Sequence, residues 1–361
     1  MKERTTRDFD WWLLLIALAI SAVGVLEIYS ATHNGSLAGM HWRQFWWVVL
    51  GVVAMAVVAR IDYHAILDKA PVLYLLGLAA LVAVLVVGER RFGARSWVSI
   101  AGFTLQVSEL VKLVIIVVLA RFFSEVRTDR LTLVDLVKAG LLTGLPIGLI
   151  LLQPDLGTAL MIVPVAVVGA FLAGIQWKHV AGLFLIGLML LPVGWYALKP
   201  YQKERIQTFL RPGENVQGAG YQTLQSKIAV GSGGFWGKGI GKGSQNQLGF
   251  VPVRWSDFIF AALAEELGFL GVLVTLLLYL GLLLRLVQNA QRAQDRAGMY
   301  LVMGAAGVLG FHVLVNVAMV IGYMPVTGIP LPLMSYGGSA TLFVFLALGL
   351  VMNVRMRRFV N

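Results

Sequence analysis

An aspartate stands at the seam between a polar, basic stretch and a long run of hydrocarbon. In Arg254-Trp255-Ser256-Asp257-Phe258-Ile259-Phe260, the chain ahead of Asp257 is rich in glycine and cations, and the chain after it is oily. The polar island runs from Lys199 to Asp257. It holds eight basic residues (Lys199, Lys203, Arg205, Arg211, Lys227, Lys238, Lys242 and Arg254) against three acids, Glu204, Glu214 and Asp257. A carboxylate at such a dry–wet boundary can be tuned toward neutrality, as a general base requires. The cations suit phosphate or pyrophosphate, to which Arg and Lys give charge-assisted hydrogen bonds. Anionic lipid headgroups or a partner are the alternative. Helix capping is the plainer reading of Asp257. If a helix began there, Ala261 and Glu265 would share its face, with Glu265 about 12 Å deeper. Asp257 would then act alone, unlike a glycosidase carboxylate pair, and Glu265 and Glu266 would pair inside a helix bundle.

Other polar residues sit inside oily segments. Glu109 and Lys112, at i and i+3, share one helix face after Gln106 and Ser108. Ionisable groups there mark a functional cavity or an internal ion pair; Lys112 facing a substrate phosphate, held by Glu109, is the functional version. Asp155 follows Gln153-Pro154 and caps the next helix or orients a basic residue in a cavity. His312 and Asn316, at i and i+4, read as interhelical hydrogen bonding. The glycines of Gly231-Ser232-Gly233-Gly234 and Gly237-Lys238-Gly239-Ile240-Gly241-Lys242-Gly243 look phosphate-friendly, but no Gly-Lys-Ser/Thr follows at Walker spacing. Flexibility and close backbone packing explain them better. Tyr221 to Ile228 has helical apolar spacing and suits a helix lying in the interface.

The elements that must position these groups are membrane helices. Of 361 residues, 58% are hydrophobic and 13% charged, and apolar stretches of about 20 residues recur. The chain is therefore expected to be an all-α, polytopic integral membrane protein forming one domain over 1–361. Ten spans are predicted: 11–31, 44–59, 72–88, 107–123, 136–152, 156–175, 180–198, 257–285, 298–322 and 331–353. The 199–256 segment is then a large extracytoplasmic loop between helices 7 and 8. No internal repeat of transporter type is seen, and no cleavable signal peptide. With no cysteine, disulfides, thiolate metal sites and cysteine nucleophiles are excluded. Five scattered histidines make a His-built metal site a poor expectation.

Lysine and arginine set the orientation. With both termini in the cytoplasm, fifteen basic residues lie inside: Lys2, Arg4, Arg7, Arg60, Lys69, Arg121, Arg127, Arg130, Lys178, Arg285, Arg292, Arg296, Arg355, Arg357 and Arg358. The short outer loops hold four, Arg43, Arg90, Arg91 and Arg95. Long loops translocate regardless of charge, so the island lies outside.

Several blocks carry a family resemblance over the whole chain. They are Gly218-Ala219-Gly220-Tyr221-Gln222 through Gln225-Ser226, Ala229-Val230-Gly231-Ser232-Gly233-Gly234 with Gly237-Lys238-Gly239, Asp257-Phe258-Ile259-Phe260 with Ala264-Glu265-Glu266-Leu267-Gly268, and Pro330-Leu331-Pro332-Leu333-Met334-Ser335-Tyr336-Gly337-Gly338-Ser339. The chain resembles the SEDS family (shape, elongation, division and sporulation). The resemblance implies a peptidoglycan glycosyltransferase that joins lipid II disaccharides into β-1,4 glycan at the outer face of the cytoplasmic membrane, inverting at the anomeric carbon. It implies Asp257 as the essential catalytic residue. Glu109, Lys112, Gln153-Pro154-Asp155, Gln106, Ser108, Arg95, Lys238, Ser335 and Tyr336 are implied as binding or supporting residues. Implied partners are lipid II, a class B penicillin-binding protein transpeptidase and the elongation machinery, with no nucleic acid. A divalent cation, Mg2+ or Mn2+, could bridge pyrophosphate and carboxylate, though no residue pattern fixes one. The family's Gln-Pro-Ser-Glu is Gln106-Val107-Ser108-Glu109 here, and its Arg-Trp is Ser96-Trp97 with Arg95 adjacent. A lipid II flippase and a non-enzymatic scaffold that activates the transpeptidase are the competing readings. A flippase needs a continuous hydrophilic path, whereas the intramembrane charges here cluster toward the outer side.

Overall fold

The computed structural model describes residues 9–33, 37–91, 94–100, 103–126, 130–211 and 218–357. Lys2, Arg4, Arg7, Arg127, Glu214 and Arg358, which enter the charge count, lie outside the described residues. The helices are α1 Trp11–Thr32, α2 Met40–Arg60, α3 Tyr63–Asp68, α4 Ala70–Val87, α5 Val107–Glu125, α6 Leu133–Leu152, α7 Leu156–Leu160, α8 Val163–Leu172 and α9 Trp177–Ala197. Then come α10 Pro200–Leu210, α11 Ala219–Ser232, α12 Ser244–Gln247, α13 Ile259–Gln291, α14 Arg296–Val320 and α15 Gly338–Met356. Among the described residues 8 helices are long and apolar enough to cross a membrane: α1, α2, α4, α6, α9, α13, α14 and α15. A helix satisfies its own backbone in hydrocarbon, so these runs have no other stable form there. The fourth expected span is α5, which carries Glu109 and Lys112. The sixth is broken at Met161-Ile162 into α7 and α8, with Pro164 opening the second piece.

Three departures matter for the site. The last span begins at Gly338, not at 331, because Pro330, Pro332 and a left-handed Leu333 (φ 65°) keep the preceding segment out of helix. The eighth begins at Ile259, so Asp257 precedes the helix and shares no helical face with Ala261 and Glu265. A small antiparallel sheet, not among the expected elements, joins α4 to α5: β1 Glu89–Arg91, β2 Ala94–Ile100 and β3 Phe103–Gln106 in the order β1-β2-β3. The aromatic and β-branched run Trp97-Val98-Ser99-Ile100 suits its central strand.

α14 and α15 are the most buried spans, and none of the described α9 side chains is buried, as in a lipid-facing helix. α15 packs on α2 through missing side chains. A Cβ on Gly51 would fall 2.4 Å from Phe345 Cδ2, and one on Gly349 would fall 2.9 Å from the Met55 carbonyl. Without a hydrophobic force between helices in lipid, such close approach supplies the packing.

The polar island is folded onto this bundle. α13 opens at Gly268 (φ 66°, ψ −164°), a conformation almost confined to glycine. The opening frees two carbonyls and two amides, and the island meets all four. Lys238 N–H donates to the Glu265 carbonyl (3.1 Å) and Gly239 N–H to that of Glu266 (2.9 Å); Phe269 N–H donates to the Gly234 carbonyl (2.9 Å) and Leu270 N–H to that of Phe235 (3.2 Å). The insertion needs bare backbone on both sides: a Cβ on Gly268 would lie 2.2 Å from the Gly237 nitrogen. Gly268→Ala is therefore expected to cost about 2–4 kcal/mol, strain and clash together. Thermal unfolding in detergent checks this; a variant as stable as wild type would mean that the kink is not obligatory.

Candidate active site

Asp257 is held by its backbone. Asn316 Nδ2 donates to the Asp257 carbonyl (2.9 Å), Ser335 Oγ to the Ser256 carbonyl (2.7 Å) and Tyr336 N–H to the Trp255 carbonyl (2.9 Å). Arg254 Nε donates to the Ala31 carbonyl at the end of α1 (3.1 Å). With its backbone pinned, the carboxyl is left for chemistry: it accepts from Ser256 Oγ at 2.9 Å. It caps no helix, since α13 has Phe258 at its N-cap without a side-chain bond. The capping reading of Asp257 is thus replaced. Gly328 (φ 73°) brings bare backbone beside the carboxyl, where a Cβ would touch Oδ2 at 3.4 Å. Asp257 as a residue keeps partial exposure. Burial pushes its carboxyl above the usual carboxylate range, against the Ser256 hydroxyl and the charge of Arg205, which pull it down.

The buried acid–base pair reaches Asp257 through α14. Lys112 Nζ lies 2.8 Å from Glu109 Oε1 and 3.1 Å from His312 Nε2, and it sits over the Phe343 ring. Lys112 is 0% exposed and Glu109 3%. His312 Nδ1 is 3.3 Å from the Pro330 carbonyl; one turn on, Asn316 Nδ2 donates to the Ile329 carbonyl (2.7 Å) as well as to Asp257. So the pair at 312 and 316, expected to make interhelical bonds, also ties the 329–330 backbone and the catalytic candidate to Lys112. Glu109, His312, Pro330, Pro332 and Phe343 line a small cavity, and Glu109 Oε2 has no hydrogen-bond partner among the described residues. Lys112 is sealed in the protein, so it supports the site from below rather than meeting a phosphate directly.

A second polar cluster flanks the first. Asp155 Oδ1 accepts from Thr158 N–H (3.1 Å), the expected cap, while Oδ2 accepts from Gln106 Nε2 (2.7 Å) and Ser108 Oγ (3.5 Å). The Gln106 N–H donates to Ser339 Oγ at 2.8 Å. This cluster locks the start of α5 to α7 and α15. Arg95 donates to the carbonyls of Leu85 (3.1 Å) and Gly88 (3.0 Å) at the end of α4, a helix C-terminus role.

Glu265 and Glu266 do not pair inside the bundle. Glu265 Oε1 binds Lys238 Nζ (2.7 Å) and the Gln245 N–H (2.9 Å), and Oε2 accepts from the Asn246 N–H (2.9 Å). Glu266 accepts from Ser30 Oγ (2.6 Å), Gly241 N–H (3.0 Å) and Asn246 Nδ2 (2.6 Å). The glycine-rich loop is thus an anion cradle, as its composition suggested, but the anions are the protein's own carboxylates. Lys238 belongs to this clamp rather than to an open pocket. Polar side chains on an apolar helix are the signal that marks His312 and Asn316 as site residues; Gly328 carries no such signal. Among the described residues, no group of three or more His, Cys, Asp or Glu is placed to hold a metal ion.

A family model described as cell cycle protein, covering FtsW, RodA and SpoVE, matches residues 10–359. The peptidoglycan glycosyltransferase MrdB of Escherichia coli K12 is 38% identical over 350 residues, 97% of this chain and 94% of that protein. The peptidoglycan glycosyltransferase RodA of Treponema pallidum is 32% identical, covering 99% of this chain and 100% of its own. Among solved structures, a chain of a peptidoglycan synthase complex that coordinates polymerization and crosslinking superposes with a TM-score of 0.85 at 34% identity, covering 98% of this chain and 99% of that one. The rod shape determining protein RodA of Thermus thermophilus does so at 0.74 and 32%, covering 98% of each chain.

Lys112→Met leaves Glu109 as a buried charge without its partner, and is expected to cost about 3–5 kcal/mol. Replacing both, Glu109→Leu with Lys112→Met, removes the unpaired charge and should recover most of that loss. Unfolding midpoints of the three proteins in one detergent check the sign; a double variant no better than the single one would mean that the pair is not the stabilising unit.

Proposed function

The chain belongs to the FtsW, RodA and SpoVE family of cell cycle proteins, and on that premise we propose how its residues carry out the transfer. It is a multi-pass membrane protein and a peptidoglycan glycosyltransferase. The substrate is lipid II, and the reaction joins its disaccharides into β-1,4 glycan during cell elongation. Asp257 is the general base. Its carboxylate takes the proton from the acceptor hydroxyl; the oxygen attacks the donor's anomeric carbon; the bond to diphosphate breaks with its electron pair on the leaving oxygen. One displacement inverts the anomeric centre. The observation that carries this reading is a backbone-pinned, partly exposed aspartate with a raised proton affinity. Lys112 with Glu109, and the cluster of Asp155, Gln106 and Ser108, act as positioning residues through α14, β3 and α15. Ser335 and Tyr336 fix the Asp257 loop.

The 199–256 island faces outward and both termini lie in the cytoplasm, as the lysine and arginine bias supports. The partner is a class B penicillin-binding protein transpeptidase. That reading rests on the likeness to a synthase complex in which polymerization and crosslinking are coordinated. A flippase needs a hydrophilic path through the bundle; the sealed Lys112–Glu109 pair argues against one.

Polymerisation of labelled lipid II by the protein with its transpeptidase, the latter blocked by a β-lactam, tests the assignment. Asp257→Asn should give no glycan while still co-purifying with the partner; equal glycan from both proteins would remove Asp257 from the mechanism. The base works ionised, and its affinity for the proton is raised, so the rate rises with pH on a limb above the ordinary carboxylate range. Ser256→Ala removes a hydrogen bond that favours the charged form, and is expected to move that limb to higher pH. A pH–rate profile of kcat measures the shift; an unchanged limb would assign it to another group.

A further inference from the structure

Beside the Asp257 loop, α10, α11 and the turn after α14 form an open crevice of about 130 Å³. Arg205 and Lys227 line it. Thr208 lines it too, 5% exposed, with a buried Oγ1 that has no hydrogen-bond partner among the described residues. A buried hydroxyl left without a partner is costly and calls for an explanation. The wall is shaped around the lysine. Gly322 (φ 80°) lies so close that a Cβ there would fall 2.0 Å from Lys227 Cε. The rim is apolar, with Phe209, Leu224 and Met324.

The crevice lies near Asp257. Val326 lines it, and two residues on Gly328 lies against Asp257 Oδ2. Arg205 is near enough to Asp257 for its charge to act on the carboxyl. The base sits at the acceptor hydroxyl, and the donor's leaving group departs from the carbon that this oxygen attacks. The donor diphosphate therefore lies within a few bonds of Asp257, whereas the acceptor's own diphosphate hangs a disaccharide away.

We propose that Arg205, Lys227 and Thr208 form the seat of the donor's departing diphosphate, with the isoprenoid chain leaving over the apolar rim. The proposal rests on the glycosyl-transfer reading. The charge that appears when the bond to the anomeric carbon breaks is taken up by two cations, and the Thr208 hydroxyl donates to a diphosphate oxygen. Groups aimed at developing charge lower the barrier more than they strengthen ground-state binding. The proton stays on Asp257 until the product leaves and then passes to water.

The test measures undecaprenyl diphosphate binding, with undecaprenyl monophosphate as the control, alongside lipid II polymerisation with the partner present. Lys227→Gln is the main variant, because an exposed side chain puts folding at little risk. It should weaken diphosphate binding about tenfold or more, as expected for a lost charged hydrogen bond, and lower kcat more than it raises KM. Thr208→Val should weaken binding several-fold, on the order of one neutral hydrogen bond. Arg205→Gln should behave like Lys227→Gln, with partial recovery in Arg205→Lys. Asp257→Asn should bind diphosphate normally and make no glycan. If wild type polymerises lipid II while Lys227→Gln and Thr208→Val bind diphosphate as wild type does, the seat is elsewhere. Displacement by phosphatidylglycerol at matching concentration would make the crevice a general anionic headgroup site and overturn the assignment. If wild type makes no glycan but the variants still weaken diphosphate binding, the site stands and the transfer reaction is what fails.

Discussion

The opened turn of α13 at Gly268 is the constraint on which the island-bearing half of the molecule depends. A helix in hydrocarbon cannot leave backbone groups unmet, and this one exposes two carbonyls, two amides and two carboxylates within a short stretch around the kink. The polar island meets them. Residues 234–239 replace the missing helical bonds, and residues 238–247 surround the side chains of Glu265 and Glu266. Neither half is stable without the other. The helix needs donors that only a loop with left-handed glycines can bring close, and a glycine-rich loop has too little apolar surface to order itself. One insertion therefore folds the island, sets the direction in which α13 enters the membrane, and places the Asp257 segment between them.

From that anchor the site is assembled mainly by main-chain carbonyls. The segment from Thr327 to Ser335 is irregular, and its carbonyls are taken up by α14 and α13: Ile329 by Asn316, Pro330 by His312, and Pro332 by the Tyr279 hydroxyl. Irregular backbone at membrane depth persists only when its polar groups are met in this way. The acid–base pair on α5 belongs to the same system, because Lys112 holds the histidine that receives Pro330. A charge far from solvent thus acts on the Asp257 carboxyl by fixing the polypeptide beneath it.

Much of this was legible in the residues. Long apolar runs announce membrane helices, Asp155 after a proline announces a cap, and Glu109 and Lys112 three residues apart announce an ion pair. The seam at Asp257 was also visible, as a change of composition. What local pattern could not carry is long-range. The glycine loop reads equally well as a phosphate cradle or a flexible linker, and its true ligands, Glu265 and Glu266, come after it in the chain by about two dozen residues. The Gly268 kink hides inside a long helical run, where Glu265 and Glu266 beside it read equally well as an internal pair. The segment ahead of α15 is oily enough to look helical, and only the prolines and the left-handed Leu333 take it out. The sheet at 89–106 is short, and its strands carry too little periodicity to stand out.

Three of the four partners that pin the Asp257 segment come late in the chain. Asn316 lies 59 residues beyond Asp257, and Ser335 lies 79 beyond Ser256. During synthesis Asp257 therefore emerges with only the Arg254–Ala31 bond available to its segment, and its other anchors follow after the insertion of α13. The scaffold closes only when α14 and the segment leading into α15 have entered the bilayer. A chain that stops short of that point carries Asp257 without the late anchors that fix its backbone.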